Sequence, residues 1–195
     1  MSPHDPTRST LTTATAMRVL AHPTRLRLLG LLRERGAQTA TLLGQVVDEA
    51  PGTISYHLGK LASIDLIEPA DARGSDRRER WWQATTDLTS WEAAELLDDP
   101  DQFAAMSVLQ KSVAHANAAR YNDYVDAMPS LPVEWVAAAA SGDRTLHLTV
   151  DELAKLRDDL EALVEKWTAA SARHTDDDQP DVERVTIMYQ AYRRP

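Results

Sequence analysis

Two spacings of apolar residues run along this chain, one helical and one alternating. The helical spacing dominates the first third. It predicts a helix over residues 11–20. Pro23 opens a second helix, because the N–H a proline lacks would have no partner at that position. Leu26, Leu28, Leu29, Leu31 and Leu32 make its apolar face, and Gly36 ends it. Thr39 caps a short third helix with Leu42, Leu43, Val46 and Val47 turned inward. After the turn Asp48-Glu49-Ala50, Pro51 begins a fourth helix that runs to about residue 63. Ile54, Leu58 and Leu61, spaced by four and three, predict one buried stripe on it. The spacing then changes to two. Residues 65–69 and 77–84 read as strands around a turn at 71–76, with Trp81 and Trp82 on opposite faces.

The second part opens on an acidic stretch, 89–101, with Trp91, Leu96 and Leu97. A long helix is predicted over 100–128, with Phe103, Met106, Val113, Tyr124 and Met128 along one side and many alanines between them. Pro129 and Pro132 end it. A short helical piece follows around Trp135 and residues 137–140. Leu146, Leu148 and Val150 alternate as a strand. Thr149 with Glu152 forms a capping box for a helix bearing Leu153, Leu156, Leu160, Leu163 and Trp167. An acidic loop over 174–181 leads to a last strand, in which Val185, Ile187 and Tyr189 alternate and pair with the Leu146 strand.

Two helices joined at a short turn and followed by a basic hairpin make a winged helix-turn-helix. The predicted class is therefore mainly α with some β (α+β): a tail over residues 1–10, a winged helix-turn-helix domain over 11–88, and a region over 89–195. That last region holds the long dimerisation helix and a small strand-helix-strand unit.

Charge sharpens this division. The chain of 195 residues carries a net charge of -9. Residues 1–83 hold 11 Lys and Arg against 9 Asp and Glu, whereas residues 84–195 hold 10 against 21. A mildly basic half meets phosphate and an acidic half stays away from it. The chain has no Cys, which excludes disulfides, thiolate metal sites and cysteine nucleophiles. No long apolar run and no signal-like start are present, so a cytoplasmic protein without a membrane partner is expected.

The candidate chemistry lies on the fourth helix. Gly52, Thr53, Tyr56 and Lys60 occupy the face opposite its apolar stripe, with Ser55 at the margin. Short polar side chains permit close approach to base edges, and lysine neutralises phosphate. Thr39 and Thr41, at the start of the preceding helix, join them as candidate DNA contacts, as do Arg73, Arg77 and Arg78 on the hairpin. His57 reads as a packed helix residue. Phe103, Met106, Val113 and Tyr124 are the candidate dimerisation residues. His115, Asn117, Asp123 and Asp126 read as ordinary helix surface, so no metal or other cofactor is assigned. No glycine-rich phosphate loop, His-Glu-x-x-His pattern or nucleophile elbow occurs, and no catalytic residue is assigned.

Three segments carry a family resemblance: Ala21-His22-Pro23-Thr24-Arg25-Leu26-Arg27-Leu28-Leu29, Thr53-Ile54-Ser55-Tyr56-His57-Leu58-Gly59-Lys60-Leu61, and Leu66-Ile67-Glu68 with Arg77-Arg78-Glu79-Arg80-Trp81-Trp82. In order and spacing, over about residues 11–84, the chain resembles the ArsR-type winged-helix transcriptional regulators. It looks most like a subgroup with an extended C-terminal region. The resemblance implies a homodimeric, DNA-binding regulator, usually a repressor, that contacts double-stranded DNA through Thr53, Ser55, Tyr56, Lys60 and the wing arginines. Ala50 departs from the Ser or Asp often found at that helix start, and the absence of Cys removes the thiol-based sensing many relatives use. A small-molecule effector bound in the acidic half is compatible with this reading. The competing reading is a winged-helix module that binds protein instead of DNA.

Overall fold

The computed structural model describes residues 8–71, 79–174 and 181–194. They fall into two compact units that divide between Ala127 and Met128.

In the N-terminal unit, Thr13 accepts the Ala16 N–H and caps α1 (Ala14–Leu20). His22 does the same for α2 (Pro23–Arg35), its Nδ1 accepting the Thr24 N–H at 3.2 Å. Gly36, at φ 71°, ends α2 in a conformation that suits a residue without Cβ. Thr39 caps α3 (Ala40–Val47), and Pro51 opens α4 (Pro51–Ala62). Ala50 supplies no side-chain cap to α4, so the proline's fixed φ carries that start. Ile54, His57, Leu58 and Leu61 form the buried face of α4. They join Leu28, Leu32, Leu43, Leu66 and Trp82 in one core. Fully burying a leucine or isoleucine contributes roughly 1.5–3 kcal/mol, so this stripe fixes which face of α4 remains outside.

Five short strands complete the unit: β1 (Arg8–Thr10), β2 (Gln38–Thr39), β3 (Ile67–Ala70), β4 (Trp81–Ala84) and β5 (Leu88–Ser90). An antiparallel sheet of order β2-β4-β3 pairs Thr39 with Trp81 and Ile67 with Ala84. Trp82 is buried and Trp81 half-buried, as expected for neighbours on opposite faces. β1 pairs in parallel with β5. Residues 8–10, expected in a tail, are therefore part of the fold, because the backbone at 88–90 satisfies theirs.

The long helix α5 (Pro100–Ala127) keeps almost its predicted bounds. Asp99 caps it, one carboxylate oxygen accepting the N–H groups of Asp101 and Gln102 at 2.9 and 3.1 Å. Its position in the fold differs from expectation. Ala105, Met106 and Leu109 are buried with Met17 and Leu20 of α1 in the core just described. The unit boundary thus lies after α5 and not at residue 88. Met106, expected at a dimer interface, is core within its own unit, and Val113 packs against that core. Phe103 is exposed, and Tyr124 is half-buried beside Tyr121.

The C-terminal unit contains α6 (Val133–Ala138) and α7 (Val150–Ser171). The capping box of Thr149 and Glu152 is formed in both directions. The two expected strands are not. Residues 139–149 and 182–194 carry neither helix nor strand, and Val150 is the first residue of α7. Alternation alone does not make a strand. The backbone needs a neighbour, and these two segments do not pair with each other.

One close approach holds the helix-turn-helix together. A Cβ placed on Gly44 of α3 would lie 2.6 Å from the Glu49 carbonyl oxygen in the turn and 3.7 Å from Ile54. Gly44→Ala should therefore lower unfolding free energy by about 1–3 kcal/mol. Gly59→Ala meets nothing within 4 Å and should raise it by roughly 0.5–1 kcal/mol through helix propensity. Urea unfolding followed by circular dichroism checks both signs.

Candidate nucleic-acid interface

α4 presents Gly52, Thr53, Ser55, Tyr56, Gly59 and Lys60 as its exposed face. The Lys60 ammonium lies 5.6 Å from the centroid of the Tyr56 ring, one turn earlier, so cation and aromatic form one unit on the surface. Beneath them Tyr56 meets the His57 ring edge-on at 5.4 Å, and His57 meets His22 at 4.6 Å. Arg25, in the first turn of α2, lies near enough to His57 for its charge to disfavour the imidazolium. Its Nε is buried without a hydrogen-bond partner among the described residues. Arg25 was not legible as a site residue, because nothing in the sequence places α2 beside α4.

A cleft of about 340 Å³ borders this face. Thr39, Thr41, Pro51, Ser55, Gly59, Glu79, Arg80 and Trp82 line it. Thr41 donates its hydroxyl to the Glu79 carboxylate at 2.7 Å, and the Arg80 guanidinium stacks over Trp82 at 4.2 Å. Thr39, expected among the contacts, is only 1% exposed, and its hydroxyl accepts the Leu42 N–H. It positions α3 and is not presented outward. Arg73, Arg77 and Arg78 lie outside the described residues. Of the expected contacts, then, Thr41, Gly52, Thr53, Ser55, Tyr56 and Lys60 share one surface. Glu79 is an acidic member that the sequence reading missed.

A second cavity, about 310 Å³, lies within the same unit between α2, β5 and α5. Leu26, Leu29, Arg33, Trp91, Val113, Asn117 and Arg120 are among the residues lining it. Arg33 is held by the Thr86 carbonyl at 2.9 Å and the Thr89 hydroxyl at 2.8 Å. Of the aromatic residues in the chain's second half, Trp91 is the one that lines this cavity. His115 directs Nδ1 at the Lys111 carbonyl one turn back, at 2.8 Å.

Residues 20–70 match a family model described as a helix-turn-helix domain. The match is confined to that segment. It takes in α2, α3, α4 and β3, and so the surface just described. No curated relative matches the chain. Solved structures to which it is similar include a possible transcriptional regulator for arsenical resistance, with 28% identity over 50% of this chain and 82% of the other, at a TM-score of 0.31. Another is Lactococcus lactis ZitR, wild type in complex with DNA, with 18% identity over 74% of each chain and a TM-score of 0.32. A third is a MarR family regulator from Neisseria meningitidis, with 20% identity over 81% of this chain and 80% of the other, and a TM-score of 0.30. No helix among the described residues is long and apolar enough to cross a membrane.

His57 couples this surface to pH. It is buried, and its Nδ1 has no partner among the described residues. Burial, then His22 and Arg25, hold its pKa below the usual imidazole value, against a smaller opposing effect of Glu49. The unfolded chain therefore takes up a proton that the folded one resists. Stability is fully present above about pH 6.5 and declines as pH falls from there toward the lowered folded value. His57→Leu should flatten the fall in melting temperature between about pH 7.5 and 5.5, and a pH series of thermal melts measures it.

Proposed function

We propose that this protein is a sequence-specific, double-stranded-DNA-binding transcriptional regulator of the ArsR-like kind. It is cytoplasmic and homodimeric, and it acts as a repressor by occluding its operator. One observation carries the reading. The helix-turn-helix buries Ile54, His57, Leu58 and Leu61 of α4 and leaves Gly52, Thr53, Ser55, Tyr56 and Lys60 outward on a single face. A face of small polar groups, one aromatic and one cation fits the major groove, whose base edges accept short donors at close range. Thr41 and Arg25 flank it and extend the same surface. Arg73, Arg77 and Arg78 are the wing contacts to backbone or minor groove. Two copies reading successive grooves require an inverted repeat whose half-sites are about one helical turn apart. The cavity between α2, β5 and α5 is the effector site of this reading. Its apolar wall, with Arg33, Glu34 and Arg120 as the charged groups, suits a small non-metal ligand.

The test is binding to DNA from upstream of the protein's own gene, titrated with salt. Wild type should bind in the submicromolar range, and the affinity should fall steeply with salt. Tyr56→Ala should weaken binding tenfold or more, and Lys60→Ala should reduce the salt slope by about one. Binding unchanged in both variants would remove α4 from the groove and leave a protein-binding winged helix. Glu79 gives a signed control. It places a carboxylate beside Thr41 on the same surface, so Glu79→Gln should tighten binding at low salt several-fold, by fluorescence anisotropy, without changing the unfolding free energy by more than about 0.5 kcal/mol.

A further inference from the structure

The C-terminal unit lacks what a folded unit of its size needs. None of its described residues from 128 to 194 is buried. Its last segment nevertheless carries strand chemistry. Val182, Val185, Ile187, Met188, Tyr189 and Tyr192 are all exposed, Val185 at 72% and Tyr192 at 70%. An alternating apolar segment with no strand pairing among the described residues invites a second strand along its backbone.

The order of residues in the segment indicates which strand. About Ile187 it is nearly symmetric. In an antiparallel pair of two identical segments centred there, Val185 faces Tyr189 and Val182 faces Tyr192, aromatic against β-branched each time. Asp181 faces Arg193, Arg184 faces Gln190, and Glu183 faces Ala191, so no like charges meet. Self-complementarity of this kind is what a two-fold axis demands, since each residue i meets j and each j meets i.

We propose that residues 182–192 pair antiparallel with the same segment of a second copy, about a two-fold axis at Ile187, so that the C-terminal unit is completed only in the homodimer. The inference rests on the homodimer proposed above and assigns it an interface other than the long helix.

The cysteine-free chain makes the test direct. In the 195-residue chain carrying Ile187→Cys, the two introduced thiols lie across the axis, where opposed Cα atoms are about 4.5–5.5 Å apart and a disulfide closes. Most of the protein should run as a covalent dimer after mild oxidation. Val182→Cys places the two thiols ten residues apart along paired strands, about 33 Å, and should stay uncrosslinked. If Ile187→Cys disturbs folding, the double variant Val185→Cys with Tyr189→Cys, whose members face each other across the axis, gives the same readout. Sedimentation of wild type runs alongside. A wild-type dimer with no disulfide in either variant overturns this interface and keeps the homodimer. A wild-type monomer overturns both. Equal crosslinking of Val182→Cys shows random collision and overturns the register.

Discussion

The close crossing at Gly44 is the constraint on which the helix-turn-helix depends. The turn from α3 to α4 passes over that glycine so tightly that a methyl group would strike the Glu49 carbonyl. The crossing brings Ile54 down against α3, and with Leu58 and Leu61 it seats α4 on the leucines of α2. Nothing in the exposed face of α4 contributes to that seating. The surface is consequently free to be selected for binding, and its orientation is set from below by side chains that never meet a ligand. His57 and His22 belong to this lower layer, holding Tyr56 by ring contact.

α5 extends the same logic along the chain. Its first turns are anchored by Ala105, Met106 and Leu109 against α1, and by an exposed ion pair of Arg18 with Asp101 that contributes little by itself. Its alanines and the exposed Phe103, Val108 and Tyr121 continue beyond the core. Residues 84–195 hold 21 acidic residues against 10 basic ones, whereas residues 1–83 hold 11 basic against 9 acidic. Divided in this way, a net charge of -9 leaves the N-terminal half mildly basic, as the proposed DNA contact requires.

Local chemistry made most of the N-terminal unit legible. Pro23, Gly36, Thr39 and Pro51 each act within a few residues, so helix starts and ends were readable to within about three positions. The Thr149–Glu152 capping box was readable for the same reason. Long-range relations were not. Thr39 looked like a contact because threonine at a helix start is equally suited to capping and to binding, and only its burial decides. Met106 looked like interface because an apolar stripe does not say which surface it meets. Residues 8–10 looked like tail because their partner, β5, lies far along the sequence. The strands expected at 145–150 and 185–189 have the right alternation, yet alternation reports an affinity for a neighbour without supplying one.

Hydroxyl-radical footprinting of the protein on its own upstream DNA tests the central claim most directly, because it reports position as well as affinity. If the outward face of α4 reads the major groove, protection appears as two symmetric patches about 10 base pairs apart over an inverted repeat, and Thr53→Ala erases both. Uniform protection without phasing, or none at concentrations where the protein is folded and dimeric, would contradict the account.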